Sequence, residues 1–467
     1  LELSKNEKDM IDLVKTSGFK KIVVLVNTPS TLEMSELQND DAIGGILWVG
    51  VPGSNGFDAL GKILNGSVNP SGRLVDTWAT NLEDGPTYYN FGNGSQGSAD
   101  GKTSLYSFDN GNSKLSNNKF VRYEEGIYVG YKYYETKAAD MDKASAGTGE
   151  TWFDQSVTYP FGYGLSYTSF TQTIESATPA AGAFTEDNLD FVVKVRVKNT
   201  GTVAGKEVVQ AYWKAPYIDG QIEKSDRLMA GFAKTSLLAP GAEEVVEIKF
   251  NAQDLASYDY NDANNNEHKG YELDAGAYKV TINDDSHEEI ASINYTLAEG
   301  IKFTTNRHTG ATVENQFSNR ENNSLPNTDS GFGMELMTRA SANAFVQPNA
   351  PTTDDMSIPA DGEITKRISY VMDLTELESD NTYYKSIYNV TDPRRKTATD
   401  CADFEQVAES STRTETEISF ADISGITLDD ERWDTILDDL KWSEMTTLVS
   451  DGGWHNPGLA AMGKPQG

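Results

Sequence analysis

Cysteine is almost absent from this chain of 467 residues, which contains Cys401 alone. A single thiol cannot close an internal disulfide, so a small disulfide-stabilised scaffold is excluded. Histidine is also scarce. The four histidines are His268, His287, His308 and His455. They have no spacing typical of a metal site, and no Ser–His–Asp set can be argued from them. We therefore expect neither a metal nor an organic cofactor.

Basic residues are also few, 39 against 71 acidic residues, and the formal net charge is −32. A surface of this sign repels phosphate backbones and anionic lipid, so we expect no nucleic-acid partner. A run of about 18 apolar residues is lacking, which predicts no membrane span in this chain. Abundant Tyr, Asn, Ser and Gly favour an extracytoplasmic or bacterial cell-surface location, and a cytoplasmic one is left open.

The stretch Gly44–Trp78 carries clear sequence signals for strands, turns and a helix. A short apolar run ends at a Gly-Val-Pro-Gly turn, and a helix is predicted for Gly56–Leu64. An Asn-Pro-Ser-Gly turn then leads to a second predicted strand, Arg73–Trp78. With a capped helix over Leu1–Lys15 and an apolar strand at Ile22–Val26, this alternation predicts a parallel sheet packed by helices.

From about Asn188 the hydrophobic pattern changes to a period of two. Apolar and polar residues alternate over 191–198, and 208–213, 244–250 and 278–282 repeat the theme. About seven short strands in roughly 110 residues predict a β-sandwich. The Gly/Ser/Asn-rich segment 84–118 is predicted to be a long loop, either functional or a flexible surface insert, and 138–154 is predicted to be a second polar insert.

The segment 259–267, with sequence DYNDANNNE, is rich in oxygen ligands of the kind that calcium prefers. It lacks the glycine that an EF-hand loop carries at its sixth position. A plain polar hairpin is therefore favoured over a metal site.

Three blocks of sequence carry a family resemblance. The first matches a W-x-x-x-P-G-x-x-G-x-x-A-x-x-x-x-L-x-G-x-x-N-P-S-G-x-L pattern through Trp48, Pro52, Gly53, Gly56, Ala59, Leu64, Gly66, Asn69, Pro70, Ser71, Gly72 and Leu74. The others, 122–134 (RYEEGIYVGYKYY) and 159–168 (YPFGYGLSYT), follow in family order. Together they resemble the second catalytic-region domain of glycoside hydrolase family 3, β-glucosidase type. The sandwich is then similar to the fibronectin type III-like domain of that family.

The end of the chain resembles the start of the family's barrel domain, with a helix near 428–440, an L-x-x-x-E-M sequence and Gly452-Gly453-Trp454. Because the barrel usually comes first, the chain is similar to the circularly permuted subgroup. The expected fold is α/β plus all-β: an α/β sandwich domain at 1–170, a fibronectin type III-like domain at 171–300, an extended linker at 301–425 and the beginning of a TIM-like (β/α)8 barrel at 426–467.

The resemblance implies an exo-acting retaining β-glycosidase, with β-glucosidase favoured, that works by double displacement. The family's nucleophile lies in a Ser-Asp-Trp type motif that this chain lacks, and its acid/base Glu would precede Leu1. We therefore expect both catalytic carboxylates to lie outside this chain. Glu124 and Glu125 are expected to pin their loop through Arg122, and catalysis by them is the less favoured alternative.

Trp454 is the one substrate-binding residue that the resemblance implies, as a wall of the +1 subsite. Packing on the barrel's end is the alternative. The implied partners are a β-linked oligosaccharide or glucoside and a remaining segment or chain that carries the barrel and acid/base loop. A homo-oligomer is left open. Two rival functions also stay open: a non-catalytic carbohydrate-binding or scaffolding protein, and a β-xylosidase or N-acetyl-β-glucosaminidase.

Overall fold

The computed structural model describes residues 2–88, 106–107, 119–120, 125–313, 336–340, 345, 430 and 432. The chain divides into two compact units. The first is formed by Leu1–Val51 with Ala59–Ile364, and the second by Pro52–Asp58 with Thr365–Gly467. The described residues of the second unit include a short helix at Gly53–Gly56 and an ion pair of 2.7 Å between Arg432 and Asp430.

The helices are α1 (Lys5–Thr16), α2 (Ser35–Gln38), α3 (Gly53–Gly56), α4 (Leu60–Leu64), α5 (Tyr131–Ala144) and α6 (Thr148–Ser156). The strands before and between them are β1 (Ile22–Val26), β2 (Ile43–Trp48), β3 (Trp78–Ala79), β4 (Tyr106–Ser107), β5 (Lys119–Phe120) and β6 (Val157–Tyr159). The later strands are β7 (Phe170–Thr178), β8 (Gly182–Phe184), β9 (Asp190–Asn199), β10 (Val208–Lys214), β11 (Leu228–Lys234), β12 (Glu243–Asn251), β13 (Ser257–Asp259), β14 (Gly270–Leu273), β15 (Gly276–Asn283), β16 (Glu289–Leu297) and β17 (Ile301–Phe303). In the described part of the chain, none of the helices has the length and apolarity needed to span a lipid bilayer.

The N-terminal part confirms a parallel α/β arrangement. Helix α1 begins at the predicted capping box, in which the Glu7 carboxylate accepts the Ser4 backbone N–H at 2.7 Å. Strand β1 lies where the apolar run predicts it and pairs in parallel with β2. At the end of β2, the Trp48 indole donates to the carbonyl of Thr28 at 2.8 Å and contacts Trp78 edge to face. Trp48 is therefore part of the packing between β2 and β3.

One local prediction in the stretch Gly44–Trp78 is wrong. Of the predicted strand Arg73–Trp78, only Trp78 is in a strand, because the Leu74 backbone is hydrogen-bonded to Gly162 and Tyr163 instead of to a neighbouring parallel strand. Strand β3 then pairs antiparallel with β6. The helix predicted for Gly56–Leu64 is present in its second half as α4, which directly follows a 3₁₀ turn at Phe57–Ala59.

The prediction of a polar insert at 138–154 is also wrong, because most of this segment forms the end of α5 and most of α6. The two helices bury aromatic side chains that a polar loop would expose, among them Tyr133, Tyr134 and Phe153. The acidic and lysine residues that gave the segment its polar appearance lie between these buried positions.

The predicted β-sandwich is present. One sheet has the strand order β11-β10-β15-β16-β8, a second has β12-β9-β7, and a third small sheet has β13-β14-β17. The alternation read from the sequence is confirmed on β9, where every second side chain is buried. The buried members are Phe191, Val193, Val195 and Val197. They pack around Trp213, and each side chain of this kind contributes about 1.5–3 kcal/mol by leaving water.

The oxygen-rich loop at 259–267 connects β13 to β14. The Asp259 carboxylate accepts backbone N–H groups of Asn261, Ala263 and Asn264 at 3.0–3.2 Å, and Asp262 accepts that of Asn266 at 2.7 Å. These carboxylates are thus bonded within the loop itself. A group of three or more Asp, Glu, His or Cys side chains that could hold a metal ion does not occur among the residues that the structure describes.

Candidate functional site at the interdomain joint

The sequence blocks that carry the family resemblance meet where the α/β part contacts the sandwich, a region called here the joint. It comprises 69–74, 125–162 and the sandwich residues 204–234 and 284–287 that face them. Asn69 donates its side-chain N–H to the carbonyl of Ala204 at 3.1 Å and accepts the Tyr167 backbone N–H at 2.9 Å. The Asn-Pro-Ser-Gly turn therefore fixes one corner of the joint.

A buried ion pair lies directly after this turn. The Arg73 guanidinium donates to the Glu207 carboxylate at 2.8 Å, with the side chains only 9% and 4% exposed. Burial raises the pKa of the Glu207 carboxyl, and the charge of Arg73 opposes part of that rise. Because both charged groups are withdrawn from water, separating them would leave an unpaired buried charge. The pair therefore fixes the position of Arg73 relative to Glu207.

The turn at Gly162 brings backbone of the α/β part against β10. The Gln210 side chain donates to the carbonyl of Gly162 at 3.0 Å and to that of Asp284 at 2.7 Å. Gly162 has a φ of +84°, and a Cβ at this position would lie 2.1 Å from the Gln210 side-chain oxygen. Glycine is therefore required here both by conformation and by the close approach of Gln210.

Tyr131, the first residue of α5, is the aromatic centre of the joint. Its ring stacks on Phe161 with centroids 4.7 Å apart and meets Tyr212 edge to face at 6.0 Å. Its hydroxyl accepts the Met229 backbone N–H at 3.0 Å. One side chain of the block 122–134 thus contacts both the 159–168 block and the sandwich.

His287 holds the two helices to the sandwich through a charged cluster. Its Nδ1 lies 3.0 Å from Glu135 and its Nε2 lies 3.1 Å from Glu150, while Arg227 approaches Glu135 at 3.5 Å. The imidazole also stacks on Phe153 at 3.7 Å. Burial opposes the charge, but the hydrogen bond and charge of Glu135, with Glu150, raise the pKa of His287 to about 9. At a pH well below 9 the ring is therefore expected to be an imidazolium, which donates at both nitrogens.

The chemistry of the joint is that of a brace. Of its buried carboxylates, Glu135 and Glu207 are each paired with a cation. Asp285 accepts the backbone N–H groups of His287 and Glu288 at 2.8 and 2.9 Å. Sequence reasoning missed the cluster of Glu135, Arg227 and His287. These residues are far apart in the chain, and the histidine was judged only by its spacing to other metal-type ligands.

The predicted substrate-binding residue Trp454 lies outside the described residues, as do Arg122 and Glu124. Its role at a +1 subsite stays a prediction. Glu125 is described and is buried, with 3% of its surface exposed. That burial agrees with a residue that holds its loop.

Two parts of the chain match known protein families. Residues 1–131 match the glycosyl hydrolase family 3 C-terminal domain, and residues 207–286 match the fibronectin type III-like domain. The first match includes joint residues 69–74 and 125–131, and the second includes most of the sandwich residues of the joint.

Beta-glucosidase A of Butyrivibrio fibrisolvens is 35% identical over 265 residues, which cover 55% of this chain and 27% of that protein. A beta-glucosidase of Ruminococcus albus is 31% identical over 295 residues, covering 63% of this chain and 26% of that protein. The crystal structure of a beta-glucosidase from Paenibacillus barengoltzii has 31% identity and a TM-score of 0.51, over 64% of this chain and 28% of that one.

The chain thus spans about a quarter of the length of these relatives. Residues 1–131 thus match the family 3 C-terminal domain, the sandwich matches a fibronectin type III-like domain, and more than half of the chain is similar to proteins named beta-glucosidase.

Proposed function

We propose that this chain is part of an exo-acting β-glucosidase that releases terminal β-D-glucosyl residues with retention, through a covalent glycosyl-enzyme. The observation that carries the proposal is the match to proteins named beta-glucosidase at 31–35% identity, over more than half of this chain. The substrate class follows from those names. A β-linked glucoside or oligosaccharide is the proposed substrate.

In this proposal the described part of the chain braces the enzyme and does not carry out the chemistry. A retaining glycosidase needs two carboxyl groups about 5–5.5 Å apart, one of them free to attack the sugar. At the joint, Glu135 is held by His287 and Arg227, and Glu207 is held by Arg73. We therefore propose that neither of these two carboxylates is catalytic and that, as the family resemblance implies, both catalytic carboxylates lie in a remaining segment or chain that carries the barrel and the acid/base loop.

The stereochemistry of the first product tests the proposal. The complete enzyme is mixed with an aryl β-glucoside, and the anomeric proton of the released glucose is followed by NMR in the first minutes. We expect β-glucose to appear first and to mutarotate later. Initial release of α-glucose would contradict retention, and faster turnover of an aryl β-xyloside or N-acetyl-β-glucosaminide would contradict the choice of sugar.

A further inference from the structure

A short segment downstream of the sandwich lies in a groove at the joint. This segment, called here the strap, consists of residues 336–340 and Phe345. Three of its side chains are almost fully buried: Met337 at 5%, Arg339 at 4% and Phe345 at 7% exposure. The groove is formed by α5, by Tyr128 before it, and by the sandwich loop 215–227. None of its contacts is used by the proposed function.

Arg339 is the anchor of the strap. Its guanidinium forms a two-pronged ion pair with Asp140 of α5, in which Nε donates at 2.8 Å and a terminal nitrogen donates to the second oxygen. The other terminal nitrogen donates to the carbonyl of Lys224 at 2.8 Å. The guanidinium also lies 4.1 Å from the centre of the Tyr217 ring. Planar, bidentate recognition of this kind is specific for arginine.

Glu223 binds the strap from the other side. Its carboxylate accepts the Thr338 hydroxyl and the Arg339 backbone N–H, the latter at 3.2 Å, and it also accepts the Tyr128 hydroxyl. Within the strap, the Phe345 backbone N–H donates to the carbonyl of Thr338 at 2.9 Å. The strap is therefore folded back on itself as it docks.

The floor of the groove is apolar and aromatic. The Phe345 ring meets Tyr128 edge to face at 5.3 Å and Tyr133 at 5.9 Å. Phe345 and Met337 belong to the same buried cluster as Phe153 of α6. The groove thus combines two carboxylates with an aromatic floor, and the strap supplies one cation flanked by two large apolar side chains.

We propose that this groove is a peptide-docking site whose specific occupant is the chain's own Met-Thr-Arg…Phe segment. Docking fastens the polypeptide downstream of the sandwich to the joint between the two domains. The contacts of the strap resemble those of a hot spot in a protein–protein interface, where a desolvated arginine and aromatic side chains are enclosed by neighbouring side chains. If the strap left, Asp140 would keep its ion pair with Lys143 at 2.8 Å but lose Arg339, and Glu223 would lose the Thr338 hydroxyl and the Arg339 backbone N–H.

Docking in trans tests this proposal with the full chain. In the variant Met337→Ala/Arg339→Ala/Phe345→Ala the groove loses its own occupant. A fluorescent peptide of residues 336–346 (LMTRASANAFV) is then titrated by anisotropy. We expect the triple variant to bind it at least tenfold more tightly than the native chain, whose groove is filled. Arg307→Ala removes another arginine, one that pairs with Asp254 at 2.7 Å away from the groove, and should not increase peptide binding.

Specificity is checked with two changes. A peptide carrying Ala in place of Arg339, and the triple variant with Asp140→Ala added, should each lose the tight binding. Equal binding of the peptide by the native chain and the triple variant, absence of binding by a folded triple variant, or indifference to Asp140→Ala would overturn the proposal.

If the triple variant does not fold, hydrogen exchange on the native chain tests whether the strap is docked in the groove. The backbone N–H groups of Arg339 and Phe345 are both hydrogen-bonded in the docked strap. We expect them to exchange at least a hundredfold more slowly than in the free peptide. Exchange at the free-peptide rate would overturn the proposal without reference to any variant.

Discussion

At the scale of single residues, the described part of the chain uses buried charge to fix one domain on the other. Arg73, Arg227 and Arg339 each reach a carboxylate on an element distant in sequence. Removing one partner of such a buried pair costs about 3–5 kcal/mol of stability, because the other charge is left unpaired. This cost is larger than the net stabilisation that the pair gives the fold. These pairs therefore specify geometry.

The charge on His287 gives the joint a dependence on pH. Its pKa is raised from 6.5 to about 9 in the folded protein. A raised pKa stabilises the fold fully below the unfolded value, and this stabilisation is lost as the pH rises through the folded value. We expect the free energy of unfolding to fall by about 1–2 kcal/mol between pH 6.5 and 9, after allowance for solvent screening.

Urea denaturation of the native chain and of His287→Gln at pH 6.5 and 9 measures this effect. The neutral glutamine cannot titrate, so the variant should be less stable at pH 6.5 and should lose less stability on going to pH 9. Parallel losses in the two proteins would show that His287 is not the group responsible.

Trp454 is the residue whose proposed role concerns the substrate. An indole that covers about 50 Å² of an apolar sugar face at roughly 25 cal/mol per Å² contributes on the order of 1 kcal/mol, or nearly tenfold in affinity. In the complete enzyme, Trp454→Ala should therefore raise KM for disaccharides several-fold and affect aryl glucosides with small leaving groups much less. An equal loss on both substrates with a lower Tm would instead indicate a packing role.

At the scale of elements, the sequence predicts correctly those helices and strands that depend on interactions between residues close in the chain. It fails where an element depends on contacts with distant residues. The capping box of α1, the apolar run of β1 and the alternation on β9 are local signals, and all three are confirmed. The strand predicted at 73–78 is wrong because its backbone bonds to a turn near residue 162, which no local pattern reveals. The helices α5 and α6 were missed because their buried aromatic residues pack on distant parts of the chain.

The turn at Gly162 tests how tightly these elements fit. Gly162→Ala places a Cβ in a left-handed conformation and against Gln210, whereas Gly220→Ala has a similar φ of +79° with open space around it. We expect about 1 kcal/mol of destabilisation at Gly220 and about 3 kcal/mol at Gly162, since overpacking adds to the backbone cost. Equal shifts in the urea midpoint would mean that the Gly162–Gln210 contact yields without cost.

At the scale of the whole molecule, part of each family motif lies at the joint. The Asn-Pro-Ser-Gly-Arg turn, the aromatic start of α5 and the Gly162 turn all contact the sandwich. The motifs therefore carry the family resemblance in the sequence, but their contacts across the joint involve side chains of the sandwich that lie far away in the chain. The candidate substrate contact at Trp454 rests on resemblance alone, because local pattern does not show what a tryptophan after two glycines faces.

Activity of the isolated chain is the most direct test of the central claim that this polypeptide braces a β-glucosidase whose catalytic carboxylates lie elsewhere. A preparation whose intact mass matches these 467 residues is assayed on an aryl β-glucoside beside the complete enzyme. Loss of the nucleophile and the acid/base group removes several orders of magnitude in rate, so we expect turnover at least about 10³-fold lower than that of the complete enzyme. Turnover by the isolated chain equal to that of the complete enzyme would contradict the account.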